Sequence, residues 1–211
     1  MEQETQIYFL RHGQTNNNRE GRMQGRVDIP LNETGRAQAR CAAQRLKGIA
    51  FDAVYSSPLG RAVETAQIVT GLPTQEINIE PRAVEIDFGV WDNRLHAELE
   101  KETEQFDLLW DETDKYVPPQ GAEPLEEVMA RVRAMLQELA ARHAGRRILV
   151  TTHGGVQQAV FTIVEQRPLR DMWKNFLGNC GCVAVGVQGD AMRVLRVFPA
   201  VQVPQGQAES V

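Results

Sequence analysis

Cysteine is scarce in this chain of 211 residues: Cys41, Cys180 and Cys182 are the only three. Three thiols at these spacings make no disulfide framework. Cys180-Gly181-Cys182 lies in a Val-rich run, which reads as strand core rather than as a redox or metal motif. Positive charge is also in short supply, with 23 Lys and Arg against 28 Asp and Glu and a net charge of -5. That balance argues against nucleic acid or an anionic membrane as the main partner, because both demand a basic field. A small anionic substrate remains compatible, since a local pocket can be positive inside an acidic protein. No apolar stretch approaches the ~20 residues of a membrane-spanning helix. The opening MEQETQ is polar and acidic, unlike a signal peptide. A reduced, cytoplasmic enzyme is the expectation. No repeat or low-complexity linker divides the chain, so a single domain is expected over residues 1–198. The Pro-, Gln- and Gly-bearing tail, 199–211, has little to bury and is expected to be loose.

What is present is a regular alternation. Ile7 to Leu10 and Ile148 to Val150 are short apolar runs suited to strands buried on both faces. Val54-Tyr55 heads a third strand, and Cys182 to Val187 and Val194 to Phe198 are two more. Between them, Leu125, Val128, Met129, Val132, Met135, Leu136 and Leu139 recur at helical spacing, with Gly145 as the stop. Asn32 suits the cap of a helix running to about Leu46, with Gly48 beyond it. Ser57-Pro58 reads as a cap followed by proline at the first helical position, opening a helix toward Gly71. Gly154-Gly155 begins another. Strand alternating with helix predicts an α/β layered fold with a mainly parallel sheet. Ligands in such sheets bind beyond the carboxyl ends of the strands.

Two of those ends are unusual. The first strand runs into Arg11-His12-Gly13, and the Ile148 strand into Thr152-His153-Gly154-Gly155. The third leads through Ser56-Ser57-Pro58 to Arg61. Each histidine taken alone reads as a buried, hydrogen-bonded core residue. Together with two arginines, which are almost never buried unpaired, they need a common reason. Two fixed guanidinium charges would oppose a divalent cation, and no ligand spacing accompanies them, so no metal is expected. An anion fits better. Arginine offers bidentate hydrogen bonds to phosphate oxygens, and the glycines after His153 let backbone N–H groups at a helix start approach the ligand. His96 and His143, in charged helical contexts, read as solvated surface.

Arg11-His12-Gly13-Gln14-Thr15, with Asn18 and Gln24-Gly25 following, resembles the signature of the histidine phosphatase, or phosphoglycerate-mutase-like, superfamily. Leu31-Asn32-Glu33-Thr34-Gly35, Ser56-Ser57-Pro58-Leu59 with Arg61 and Thr65-Ala66, Glu85 to Gly89 with Trp91, and Thr152 to Gly155 recur in that family's order. The resemblance spans most of the chain. It implies a three-layer α/β/α sandwich and a metal-independent phosphomonoester hydrolase with no cofactor. His12 would be the phosphate-accepting nucleophile, and Glu85 the general acid and then base. Arg11, Arg61 and His153 would hold the phosphoryl oxygens, assisted by Asn18 and the Gly154 amide, with Gln24 and Gly25 beside the substrate. Read from the residues alone, Glu85 is an ordinary surface carboxylate; only the resemblance lifts it.

The chain departs from the family at two points: Asn17 stands where an aromatic is frequent, and Asp92-Asn93 replace the usual Glu-Gly after Trp91. Asn tolerates positive φ, so the second turn is expected to survive. Residues 88–124 are the expected substrate segment. It is acidic: Glu98, Glu100, Glu102, Glu104, Asp107, Asp111, Glu112 and Asp114 stand against Lys101 and Lys115. Those acids are either a solvated helix face or part of a cap without the positive charge a bisphosphate would want. Trp91, Phe106, Trp110 and Tyr116 are either an apolar wall for the leaving group or core. A phosphatase acting on a small phosphorylated metabolite is favoured over a cofactor-dependent phosphoglycerate mutase, and both over a non-catalytic binding module. A homodimer through the sheet edge or the cap is left open.

Overall fold

The computed structural model describes residues 3–203. In chain order its elements are β1 (Thr5–Arg11), α1 (Asn16–Glu20), α2 (Glu33–Leu46), β2 (Ala53–Ser56), α3 (Gly60–Thr70), β3 (Asn78–Ile79), α4 (His96–Glu102), α5 (Glu104–Asp111), α6 (Leu125–Arg142), β4 (Arg147–Thr152), α7 (Gly154–Val164), β5 (Cys182–Gln188) and β6 (Ala191–Phe198). The six strands form one sheet in the order β3-β2-β4-β1-β5-β6. β1, β2, β3 and β4 pair in parallel, while β5 and β6 add an antiparallel edge.

Alternation along the central strands builds the layers, because successive side chains of a strand point to opposite faces. Ile7 and Phe9 of β1 pack in one cluster with Val128, Val132 and Leu136 of α6 and Val156 and Val160 of α7. Tyr8 and Leu10 pack in the other with Ala39, Ala42 and Leu46 of α2 and Ala66 of α3. Helices therefore cover both faces, and the architecture is the expected three-layer α/β/α sandwich with a mainly parallel sheet. Ile7, Phe9 and Leu10 are fully buried, and each such side chain contributes roughly 1.5–3 kcal/mol when taken from water.

Several local expectations shift. Ser57-Pro58 does not cap α3: the helix starts at Gly60, Leu59 is its N-cap without a side-chain bond, and Asp28 Oδ2 accepts from the Gly60 amide at 2.9 Å. A loop distant in sequence supplies the cap, and Ser57 is used elsewhere. α6 ends at Arg142, three residues before Gly145. Cys182 opens β5, but Cys180 lies before the strand in a turn with φ 55°. Burial pushes the Cys180 thiol up to about 12 and raises that of Cys182 as well, so neither is poised for redox chemistry. His143 is not simply solvated: its Nε2 shares a 2.8 Å hydrogen bond with Tyr55 Oη. The tail is docked at its start, where Arg45 donates to the Pro199 carbonyl and Val201 is buried; the rest of it, 204–211, lies outside the described residues.

Between residues 88 and 124 the chain makes an excursion whose two ends are pinned together. Phe88 bridges Ala122, Val90 N donates to Gln120 O at 3.1 Å, and Glu123 N donates to Asp87 O at 2.8 Å. Glu98, Glu100, Glu102, Glu104, Asp107, Asp111, Glu112 and Asp114 are all exposed, so the solvated-face reading holds for them. Its aromatics divide: Trp91 and Phe106 are buried and Tyr116 packs against them as core, whereas Trp110 lines a cavity. No helix among the described residues is long and apolar enough to cross a membrane.

Candidate active site

Strand register brings the two histidines together. Arg11 pairs with Thr152 across β1 and β4, so His12 and His153 leave the sheet side by side, their rings edge-to-face at 5.1 Å between centroids. Ser56 pairs with Thr151, which sets Ser57 beside them, and Ser57 Oγ shares a 2.7 Å hydrogen bond with His153 Nε2.

Hydrogen bonding assigns the His12 tautomer. A guanidinium can only donate, so the 3.3 Å contact from Arg61 Nε to His12 Nε2 makes Nε2 the acceptor. Nδ1 then carries the proton and donates to the Gly13 carbonyl at 2.7 Å. The lone pair a nucleophile requires is thus on Nε2. The imidazole stays neutral: burial, then Arg61 and Arg11, hold its pKa well below the usual 6.5. His153 is pushed down in the same way by burial and by Arg61.

Arg61 is completely buried. It donates to the carbonyls of Val27 (2.8 Å) and Gly25 (2.7 Å), and its own carbonyl accepts from Thr65 Oγ1 at 2.7 Å. Burial lowers its pKa to about 10, opposed first by Glu85, so it remains a cation at neutral pH. Thr65 Oγ1 also accepts from the Gly13 amide at 3.1 Å. Arg11 donates to the Leu177 carbonyl at 3.0 Å and lies over the Phe176 ring at 4.7 Å. Glu85, 6% exposed, accepts from the amides of Gly155 (3.0 Å) and Ile86 (2.9 Å). Burial raises its pKa above the usual carboxylate value, although those two amides and the arginines pull the other way.

Buried polar groups normally find partners, so exceptions are informative. Arg11 Nε, His153 Nδ1 and Gln24 Nε2 are buried without any. The Ser57 hydroxyl proton needs an acceptor, and among the described residues His153 Nε2 is the one within reach; donation there leaves His153 Nδ1 as an N–H. Three unspent donors beside a neutral imidazole, with two guanidinium charges, are the chemistry of an oxyanion site. Among the described residues, no group of three or more His, Cys, Asp or Glu side chains is gathered to hold a metal.

Arg11, Asn18, Gln24, Glu85 and Gly154 line one cavity. The Asn18 oxygen accepts from Thr15 N (3.2 Å) and Asn179 Nδ2 (3.1 Å), which turns its amide nitrogen the other way. Gly25, like His12, Arg61 and His153, is not among the residues that line this cavity. Its amide is used by Asp92 and its carbonyl by Arg61, and a Cβ there would lie 2.5 Å from the Ile86 carbonyl oxygen; it supports Arg61 rather than facing a ligand. Asp92 accepts from the amides of Gly25, Arg26 and Val27 at 2.5, 2.9 and 3.0 Å, holding the loop that clamps Arg61. The two departures from the family meet here: Asn93 takes φ 67°, and its Oδ1 accepts from Asn17 Nδ2 at 3.0 Å. Asn17 is buried and does not line the cavity.

The cavity is also lined by Gly155, Arg22, Met23, Phe88, His96, Trp110, Trp173 and Phe176, most of which no motif of the sequence marks. His96 is half-buried against Phe106 and Trp110, not surface. Trp173, whose Nε1 is unpartnered, meets Trp110 at 4.6 Å. No local pattern announces residues that converge from three distant segments.

The sheet, the paired histidines and the arginine cluster define a phosphate-handling α/β protein. The histidine phosphatase superfamily (branch 1) matches residues 7–198, and the chain belongs to it. The chain is 34% identical over 168 residues to phosphoserine phosphatase 1 of Hydrogenobacter thermophilus, a match covering 79% of each chain. It is 37% identical over 184 residues to a probable phosphoglycerate mutase, GpmB, of Photorhabdus laumondii, covering 87% of this chain and 85% of that one. Among solved structures, YhfR of Bacillus stearothermophilus aligns with a TM-score of 0.86 at 34% identity, over 94% of this chain and 98% of that one.

Proposed function

We propose that this chain is a phosphomonoester hydrolase that works through a phosphohistidine on His12, as one domain over 1–198 in the cytoplasm, with 88–124 as its substrate segment. The observation that carries the reading is the unprotonated His12 Nε2 beside the unspent donors of Arg11, His153 and Gln24. His12 Nε2 attacks phosphorus and the ester P–O bond breaks. Glu85, whose protonated form burial favours, gives its proton to the leaving alcohol oxygen. The Glu85 carboxylate then takes a proton from water, the hydroxide attacks phosphorus, and the N–P bond breaks to release phosphate. Arg11, Arg61, His153, Asn18 and Gly154 hold the phosphoryl oxygens, whose charge spreads in the transition state. The substrate is a small phosphorylated metabolite, the class named for the relatives.

A mutase reading has support in the resemblance to the probable phosphoglycerate mutase. Against it, among the described residues Arg22 is the one Lys or Arg besides Arg11 that lines the cavity, which is little for a second phosphate. The test is phosphate release from a panel of phosphomonoesters with chelator present, for wild type and His12→Ala, with acid-quenched mass spectrometry for phosphohistidine. Chelator-resistant turnover and a trapped phosphoprotein, both absent in the variant, are expected. Isomerisation of phosphoglycerate stimulated by bisphosphoglycerate, with little hydrolysis, would replace phosphatase by mutase. Turnover surviving in His12→Ala would end the phosphohistidine reading.

A further inference from the structure

Glu85 lies in no helix or strand, so its placement must come from what grips the chain on either side. One pair of side chains does much of this. Arg131, on α6, donates from Nη1 to the carbonyls of Arg82 (2.6 Å) and Val84 (2.8 Å). Through Nε and Nη2 it makes a two-pronged contact with Glu123 at 2.7 and 3.0 Å. Glu123 in turn grips the far side of Glu85: its amide donates to the Asp87 carbonyl at 2.8 Å, and its Oε2 faces the Asp87 amide at 3.5 Å. Both side chains are largely sheltered, at 15% and 9% exposure. Thr152 Oγ1 takes the intervening Ala83 carbonyl at 2.8 Å. The segment before and after Glu85 is thus tied to α6 by the sheltered Arg131–Glu123 pair, with a second pair from Arg82 to Glu138 nearer the surface, and to β4 by one hydroxyl.

We propose that Arg131, with Glu123, is a positioning residue for proton transfer by Glu85. This rests on the reading of Glu85 as the acid. The guanidinium is suited to the task because its planar fork serves a carboxylate on one edge and carbonyls on the other. A lysine would keep the charge and lose the fork. Neither side chain lines the cavity, and Arg131 spends its donors on the Arg82 and Val84 carbonyls and on Glu123, so it acts through the backbone on either side of Glu85.

The experiment compares kcat/KM for p-nitrophenyl phosphate, whose leaving group departs without a proton, with that for an alkyl phosphate, whose leaving group needs one. Because kcat/KM covers steps only through loss of the alcohol, the later use of Glu85 as base does not enter. Glu85→Gln is the reference and should lose far more on the alkyl ester than on the aryl one. Arg131→Lys is expected to show the same bias, with a loss of roughly 10- to 100-fold on the alkyl ester, the scale set by small misplacement of a reacting group. Glu123→Gln, which keeps shape and volume, should show it more weakly and serves if Arg131→Lys folds poorly. Equal losses on both esters in folded Arg131→Lys or Glu123→Gln, beside a biased Glu85→Gln, would overturn the proposal. Equal losses in Glu85→Gln would remove the acid role itself, and the clamp's purpose with it.

Discussion

The floor of the candidate site and the rim of the cavity beside it are built by different means. At the carboxyl ends of β1 and β4, strand register sets His12 beside His153, and almost every contact runs to backbone: Gly13 and Gly25 carbonyls, Gly13 and Gly155 amides. At the rim, His96, Trp110 and Trp173 meet ring to ring across short helices and a turn, and the acids around them are exposed. Backbone partners are fixed by the sheet and tolerate little change. Aromatic packing gives shape without dictating atoms. On the proposed function, the comparison teaches that the reaction is tied to the part of the fold fixed by strand register, with selectivity left to a rim where substitutions cost the fold little.

The sharpest way to break that contrast is Gly155→Ala. A Cβ there would stand 2.6 Å from Glu85 Oε1 and 2.6 Å from Ile86 Cδ1, so Glu85 must move. Turnover of an alkyl phosphate should fall by about 10²–10⁴, the worth of a placed acid; near-normal turnover would show this end to be softer than described. Thr65→Val comes next. It deprives the buried Gly13 amide of its acceptor, a loss of roughly 1–3 kcal/mol, visible as a lower denaturant midpoint with an unchanged slope.

The pH dependence sharpens the same point. His12 must be unprotonated to attack, and its depressed pKa moves the acid limb of kcat/KM well below 6.5. Glu85 must be protonated, and its raised pKa moves the alkaline limb above the usual carboxylate range; Glu85→Gln should abolish that limb. Stability has the corresponding sign. Unfolded histidines take protons near their usual 6.5, while His12 and His153 resist them in the native state. Their neutral burial is therefore tolerated above that pH and becomes destabilising as pH falls through it, so thermal melts should decline there.

The smallest effect belongs to the rim. Trp110→Ala removes contacts with Trp173, Phe106 and His96, and aromatic pairs contribute about 0.5–1.5 kcal/mol each. It should change the ranking of substrates by KM while sparing hydrolysis of p-nitrophenyl phosphate. A collapse of turnover with all substrates would place the rim in the chemistry after all.

How much was legible follows from the same division. The apolar runs at Ile7 and Ile148 and the periodic apolar face of α6 identified their elements, because burial imposes patterns that a linear reading can count. Asn32 was legible as a cap because its partner, the Gly35 amide, lies three residues on. Ser57 was misread because its partners are Leu59 and His153, and α3 takes its cap from Asp28. His96 was misread for the same reason: its charged neighbours in sequence are exposed, while Phe106 and Trp110 enclose the ring.

By itself, the sequence determined the alternation of strands and helices, the placing of Arg11, His12, Arg61 and His153 beyond strand ends, and the family to which they belong. These depend on local periodicity and on motifs a few residues long. Only the tertiary structure decided that Glu85 is buried against the Gly155 amide, that His12 offers Nε2 rather than Nδ1, and that the Gly25 carbonyl accepts from Arg61. Each of those depends on hydrogen bonds between residues dozens of positions apart, and only the closed sheet and its covering helices bring them within reach.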